Sequence, residues 1–352
     1  MAYSKILIRA TNWLGDVIMS LPAVRLVRAR YPAAQLVVVA RPWVAGIYTR
    51  ESAVDRVIPY SAAGGWRDLG GKVRFAGKLR KEGFDCAILL QNAFEAAMLA
   101  WLARIPVRIG YERDARGWLL TTPVPVPKKD ETPRHERYYY LELLRRAGIL
   151  EQIPIESPIR LEGVERARAA GMSRFAQLSL PQPVVGVAPG AAYGGAKRWL
   201  PERFAQAASQ IVAARGGSVA LFGSAAEQAP CKVIEAILQA DGIPVLTLAG
   251  KTSLAEFVDL AAACRVFLSN DSGAMHVASA VDVPTVAIFG ATDHSTTGPC
   301  GSLCRVVREP VDCSPCLLRE CPIDHRCMTR VTAEQVAQAA LGIHPPPGNS
   351  QL

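Results

Sequence analysis

The sequence predicts an α/β fold of two doubly wound domains with a ligand cleft between them. Three observations carry that prediction. A chain of 352 residues is too long for one ordinary core and suits two. Short β-rich runs alternate with helical ones through the first half and, after a proline-rich interval, begin again. The β-rich runs are continuously apolar rather than alternating, as strands are when helices cover both faces of a parallel sheet.

In the first half the strand candidates are 5–10, 36–40, 56–59, 86–90 and 107–110, with helices at 17–30, 69–82 and 93–104. Pro22 lies inside the first helical pattern and should kink that helix or mark its start. Residues 123–133 read as a charged, proline-rich loop, and the interdomain linker is placed within 150–183. The second half offers strands at 184–188, 218–222, 244–248, 266–269 and 285–289, separated by helices at 202–214, 225–240, 254–263 and 273–280. The expected division is an N-terminal domain over 1–165, a C-terminal domain over 180–330, and a C-terminal helix and tail over 331–352. Sheets of this kind bind ligands beyond the carboxyl ends of their strands, so the loops that follow strands are where chemistry is expected.

Composition narrows the class. Half of the residues are hydrophobic and a fifth are charged, as in globular proteins. The most apolar stretches, 87–103 and 277–291, are broken by Gln91, Asn92, Glu95 or Asp282 before they could span a membrane. The chain runs straight into KILIRA without a charged-then-apolar leader, so a cytoplasmic location is expected. Its net charge of +9 is unevenly placed. Residues 1–150 hold 24 Lys and Arg against 13 Asp and Glu, whereas 151–352 hold 16 against 18. Arg-rich codon bias should not spare the second half, so the first half is expected to face an anionic partner. A membrane surface or a phosphorylated substrate fits. Nucleic acid fits least of the three, because no Lys/Arg block with interleaved aromatics is present, and it is not expected as a partner.

Four loops carry candidate chemistry. The first strand runs into Thr11-Asn12-Trp13-Leu14-Gly15-Asp16. One glycine is too few for a dinucleotide fingerprint, which argues against a dehydrogenase. Gly15 is expected to allow a tight turn. Asp16 then stands at a helix start, either as a cap or as a general base that accepts a hydroxyl proton. The second domain's first strand ends in a loop, residues 189–199, that contains Gly190, Gly194, Gly195 and Lys197. Its backbone amides and one ammonium suit a phosphate, although a Gly-rich turn with a solvated Lys is an equally ordinary reading. Ser224 and Glu227 have capping-box spacing, like Ser253 and Glu256, yet Glu227 also stands where a carboxylate could hold a ribose diol. The stretch Ser269-Asn270-Asp271-Ser272-Gly273-Ala274-Met275-His276 joins a strand to a helix of small residues. Caps explain Asp271 and Ser272. They leave His276 without a reason, and a diphosphate at the helix start supplies one.

Nine cysteines fall into two groups. Cys86, Cys231 and Cys264 lie in apolar stretches and read as core. The other six lie between 300 and 327. Among them Cys313, Cys316, Cys321 and Cys327, with His325 nearby, have spacing that admits a structural zinc ion, with reduced thiols as the alternative. The group is expected to lie outside the four loops, so no catalytic metal is expected.

Taken together, NWLGDVIMSLPAV, PGAAYGGAKRWLPERF and SNDSGAMHVASAVDVPTVAIFG resemble the ADP-heptose:lipopolysaccharide heptosyltransferases of glycosyltransferase family 9, over nearly the whole chain. The tail CSPCLLRECPIDHRCM is more similar to the second heptosyltransferase of the inner-core pathway than to the first. The resemblance implies a GT-B fold of two Rossmann-like domains, with the donor nucleotide on the C-terminal one and the acceptor on the N-terminal one. It implies Asp16 as catalytic base and Lys197 at the donor phosphates. Glu227 would hold the adenosine ribose, Asp271 the heptose, and Gly190, Ser272, Gly273 and His276 would lie around the donor. Asn12, Trp13 and Gly15 would adjoin the acceptor. The implied reaction inverts the anomeric centre of ADP-heptose without an obligatory metal. The implied acceptor is a phosphorylated glycolipid of the lipopolysaccharide core, which would place the protein at the inner face of the membrane. Two rivals remain: a sugar-nucleotide epimerase of the same fold, which needs no acceptor surface, and a non-catalytic nucleotide-sugar binding module, which needs no base at Asp16.

Overall fold

The computed structural model describes residues 3–61 and 68–344. The chain divides into two units, Met1–Pro158 and Ile159–Leu352. In the first, the order is β1 (Lys5–Arg9), α1 (Leu14–Arg30), β2 (Gln35–Ala40), α2 (Pro42–Tyr48), β3 (Arg56–Pro59), α3 (Leu69–Lys81), β4 (Cys86–Leu89), α4 (Phe94–Leu102), β5 (Val107–Tyr111), β6 (Thr122–Val124) and α5 (Glu136–Arg146). The strands form one parallel sheet in the order β3-β2-β1-β4-β5-β6. Its central strands are buried on both faces, as at Ile6, Leu7 and Ile8, which is why they read as unbroken apolar runs.

The second unit repeats the plan with α6 (Val164–Gln177), β7 (Val184–Ala188), α7 (Pro201–Arg215), β8 (Ser218–Leu221), α8 (Gln228–Ala240), β9 (Val245–Thr247), α9 (Leu254–Ala262), β10 (Val266–Asn270), α10 (Gly273–Ala280), β11 (Thr285–Ile288), α11 (His294–Thr297), β12 (Cys304–Val307), α12 (Arg326–Thr329) and α13 (Ala333–Leu341). Its parallel sheet runs β12-β11-β10-β7-β8-β9, the same permutation of strands as in the first unit. Chain order therefore reverses between β1 and β4 and again between β7 and β10. A crevice opens at the carboxyl ends of such strand pairs because the helices that leave them depart on opposite faces.

Several elements differ from the expected ones. The first helix begins at Leu14, with Trp13 as its N-cap, so Gly15 lies inside the helix rather than in a turn before it. The helix continues through Pro22, whose apolar ring is buried. The 123–133 loop conceals β6, an edge strand where Pro123 costs little because one side of an edge lacks a partner. The 150–183 linker contains α6, which belongs to the second unit and packs on α9. Gly171 makes that crossing close, since a Cβ there would strike the Asp259 carbonyl. Within the expected tail, α13 sends Val336, Ala337 and Ala340 into the second unit's core beside Phe204 and Ile211. Among the described residues no helix is long and apolar enough to cross a membrane.

Candidate active site

In the first unit the reversal point gathers the end of β1, the end of β4 and the start of α5. Leu90 and Gln91 both donate their backbone N–H to the Arg9 carbonyl, which ties the two strand ends together. Arg9 is buried; its Nη1 donates to the Ala10 carbonyl at 2.6 Å and its Nη2 to Asn12 Oδ1 at 3.3 Å. Trp43 Nε1 donates to the Asn12 carbonyl at 2.9 Å. Asn12 is thus held by side chain and backbone, while Trp13 beside it stays exposed. At the end of β4, Asn92 Oδ1 accepts from the buried Arg116 at 3.2 Å and its Nδ2 donates to the Tyr139 hydroxyl at 3.0 Å. Burial lowers both guanidinium pKa values to about 10, with the charge of Arg41 adding to the effect at Arg9. Both stay cationic at neutral pH. Two buried polar atoms, Thr11 Oγ1 and Gln91 Oε1, have no hydrogen-bond partner among the described residues. Orphaned acceptors and donors are costly unless a ligand or water satisfies them, and these two stand at the ends of β1 and β4, where a ligand or water could reach them.

Asp16 lies in the first turn of α1, and α1 packs against α5. The N-cap position belongs to Trp13 and has no side-chain cap bond, which puts Asp16 at the third position of the first turn rather than at the N-cap. A second carboxyl is close enough to feel it. Glu136, in the first turn of α5, has its pKa raised to about 7, first by burial, then by the negative charge of Asp16, against an opposing pull from Arg113. Asp16 and Glu136 also push the buried Tyr140 phenol upward, after the larger effect of burial. A carboxyl that titrates near neutral pH beside an aspartate is a place where a proton can be taken up.

In the second unit the loops after β7 and β10 are sewn together. Lys197 Nζ donates to Asp271 Oδ2 at 2.5 Å, and Thr292 Oγ1 donates to the same oxygen at 2.6 Å. The ammonium also stands 4.8 Å from the centre of the Tyr193 ring. Asn270, fully buried, donates from Nδ2 to the Pro189 carbonyl at 2.7 Å and accepts the Trp199 N–H at 3.0 Å on Oδ1. It therefore fixes both ends of the Gly-rich loop to the strand beside it. Ser272 is the N-cap of α10 without a side-chain cap bond; its Oγ lies 3.1 Å from Ser269 Oγ. The first amides of α10, from Gly273 on, thus receive no side-chain cap, as an anion-binding helix start requires. His276 is buried on the same helix.

Glu227 forms the capping box that its spacing predicts. Its Oε2 accepts from the Ser224 N–H at 2.7 Å and from Ser224 Oγ at 2.9 Å, a capping box. Its Oε1 faces Gly190, where any Cβ would collide with the carboxyl group. Glycine at 190 is what lets the loops after β7 and β8 approach.

The cysteine-rich segment lies against the Gly-rich loop rather than outside it. The Tyr193 hydroxyl donates to the Leu317 carbonyl at 2.7 Å, the Gly195 N–H to Glu320 Oε1 at 2.9 Å, and the Ala196 N–H to the Arg319 carbonyl at 2.9 Å. His325 Nε2 is 3.1 Å from the Ala196 carbonyl oxygen. Cys313, Cys316, Cys321 and Cys327 are free thiols, near enough that the first three raise the Cys327 pKa, after the larger effect of burial. Among the described residues, however, no three His, Cys, Asp or Glu side chains form a group that could hold a metal ion. What is visible is a polypeptide brace on the Gly-rich loop. Sequence reasoning missed this brace together with Asn270, Thr292, Glu136 and Arg116. Their partners are distant in sequence, and only Glu136, one residue after His135 at a helix start, carries a local signal.

Two parallel sheets with the same strand permutation, polar loops at the reversal point of the first and charged, glycine-rich ones at that of the second, place the chain in the GT-B class of two-domain α/β enzymes. The profile of glycosyltransferase family 9 (heptosyltransferase) matches residues 72–326, and the chain belongs to that family. The matched stretch contains the second unit's loops and begins after Asp16. Lipopolysaccharide heptosyltransferase 2 of Salmonella typhimurium is 36% identical over 310 residues, 86% of this chain and 88% of that protein. The structure of ADP-heptose lipopolysaccharide heptosyltransferase II of Escherichia coli superposes with a TM-score of 0.81 at 30% identity, over 96% of this chain and 98% of that one. A UDP-GlcNAc 2-epimerase from Methanocaldococcus jannaschii shares the fold alone, with a TM-score of 0.52 at 12% identity over 86% of this chain and 88% of that one.

Proposed function

We propose that this glycosyltransferase moves L-glycero-D-manno-heptose from ADP-heptose to the lipid-linked inner core of lipopolysaccharide, with inversion, setting the second heptose on the first. The observation that carries the reading is the ion pair between Lys197 and Asp271 beside the uncapped start of α10. A half-buried ammonium beside uncapped helix amides is a seat for a diphosphate, and the buried carboxylate that holds the ammonium in the meantime is placed for the sugar. The similarity to heptosyltransferases 2 from two enterobacteria supports ADP-heptose as the donor and the core as the acceptor.

The chemistry then divides between the units. An acceptor hydroxyl attacks the anomeric carbon from the face opposite ADP. The new C–O bond forms as the bond to the β-phosphate oxygen breaks. Asp16 takes the hydroxyl proton, and a single displacement needs only that one base. The leaving electron pair stays on ADP, where Lys197 and the amides from Gly273 onward stabilise the charge that develops. Glu227 receives the ribose hydroxyls with the oxygen not engaged by Ser224. Asn12, Trp13 and Gly15 border the acceptor, and the excess of cations in residues 1–150 suits its phosphates and the inner face of the membrane that bears it.

Incubation with ADP-heptose and lipopolysaccharide truncated before the second heptose tests the reading. The expected products are core glycolipid heavier by one heptose and an equal amount of ADP. Conversion of ADP-heptose to another sugar nucleotide without acceptor would instead establish the epimerase, and donor binding without turnover would establish a binding module.

A further inference from the structure

The first unit carries a surface that the transfer reaction leaves unused. Helix α3, LGGKVRFAGKLRK, contains five cations and no carboxylate. Lys72 turns inward to Glu95 at 2.8 Å, while Arg74, Lys78, Arg80 and Lys81 are exposed. Arg104, just past α4, is exposed as well. Among the described residues none of these five exposed cations has a carboxylate partner. Most neighbouring carboxylates are already engaged: Glu82 with Lys5 and Arg56, Asp114 with Arg113, and Asp68 as the N-cap of α3, while Glu112 beside Gly117 stays exposed at the edge of the face. Apolar side chains stand among the cations. Leu69 and Val73 on α3 are 48% and 52% exposed; Trp101 at the end of α4 is 46% exposed, and Trp118 is 70% exposed. Trp118 lies edge-on to Trp101 at 6.2 Å and 6.3 Å from Phe94. Because α3 packs on α4, and α4 on the 117–119 turn, these residues occupy adjoining elements of one layer.

We propose that the face made by α3, α4 and the 117–119 turn rests on an anionic phospholipid bilayer. Indole rings favour the headgroup region, where an apolar body and a polar N–H are both accommodated, and exposed cations beside them are drawn to anionic lipid. A second copy of this chain is a poorer occupant, since a symmetric contact would set like charges against one another. The proposal rests on the reading of a lipid-linked acceptor, and it names the surface that brings the enzyme to that lipid.

The test uses the full chain and vesicles of phosphatidylglycerol and phosphatidylethanolamine that contain no lipopolysaccharide. Co-sedimentation should be strong at low salt, weaken as salt rises, and be lost on phosphatidylcholine vesicles. Replacing Lys78, Arg80 and Lys81 together by Gln should weaken partition about a hundredfold, near fivefold per cation. The pair Trp101→Ser and Trp118→Ser should lower binding at least tenfold and remove the blue shift of tryptophan emission on binding. Melting temperatures that match the unsubstituted protein certify the fold. Transfer to a soluble, delipidated acceptor fragment should be unchanged in both variants. Failure of the unsubstituted chain to bind anionic vesicles overturns the proposal, as does unaltered binding by the tryptophan variant. A dimer dissolved by these substitutions overturns it too, by assigning the face to self-association. Absence of transfer to the soluble fragment with vesicle binding intact would instead count against the proposed reaction.

Discussion

Replacing Asn270 by alanine tests whether the donor-side loop is shaped by the strand beside it. Asn270 is the last residue of β10, and its amide spans two backbone groups far away in sequence, the Pro189 carbonyl at 2.7 Å and the Trp199 N–H at 3.0 Å. These groups bracket the loop that carries Lys197. Alanine leaves a buried acceptor and a buried donor unpaired, each at a cost of about 1–3 kcal/mol, so the loss of stability should be about 2–6 kcal/mol. A protein of ordinary stability survives that loss, and the folded variant can be studied at low temperature. The functional consequence is separate. Once freed, the loop must be ordered again by the ligand, and ordering even one residue costs about 1–2 kcal/mol, so ADP affinity should fall roughly tenfold or more. Urea unfolding gives the first quantity and titration calorimetry with ADP the second. Unchanged ADP affinity in a variant that is destabilised as expected would refute the reasoning, because the loop would then hold its shape without the stitch.

Asp16→Asn should reduce turnover by about 10²–10⁴-fold, the range of a lost general base, while calorimetry shows ADP affinity near that of the unsubstituted protein; near-normal turnover removes the base role. Lys197→Met leaves the Asp271 carboxylate buried without its cation and should cost about 3 kcal/mol of stability. Adding Asp271→Asn should restore much of that stability without restoring turnover, a coupling that urea unfolding of the four proteins measures. Glu136 keeps its proton in the folded protein up to about pH 7 but loses it near its ordinary value when unfolded. The native state therefore binds more protons than the unfolded one across that window, and stability falls as pH rises through it, by up to about 3 kcal/mol. Glu136→Gln should flatten the dependence; parallel curves for both proteins between pH 5 and 8 would exclude the effect. Metal analysis of protein purified without an affinity tag should find zinc well below one equivalent, because the side chains of Cys313, Cys316, Cys321 and Cys327 do not form a metal-holding group; one equivalent would restore the zinc reading of their spacing.

How much of this was legible in the sequence depends on the range of the interaction involved. The central strands were readable because burial on both faces leaves an unbroken apolar run, as in Val37, Val38 and Val39. The edge strands β6 and β12 were not, since three or four residues of mixed exposure, among them the exposed Pro123 and Arg305, carry no such run. Helix α2 begins on Pro42 and has only seven residues, too few to show a period, while α5 follows directly on a proline-rich loop that masks its start. At the site, the loops after β1, β7 and β10 could be located because strand ends and helix starts are local signals. What those loops do to one another could not. Lys197 and Asp271 are separated by 74 residues, Asn270 and Pro189 by 81, and Tyr193 and Leu317 by 124. A lone lysine in a glycine-rich turn, an asparagine at a strand end and a tyrosine in a loop each have an ordinary solvated reading. Only the closing of the parallel sheet, which sets β7 against β10, removes it. The sheet's strand order therefore does for these polar residues what periodicity does for apolar ones: it decides which of two equally good local readings applies.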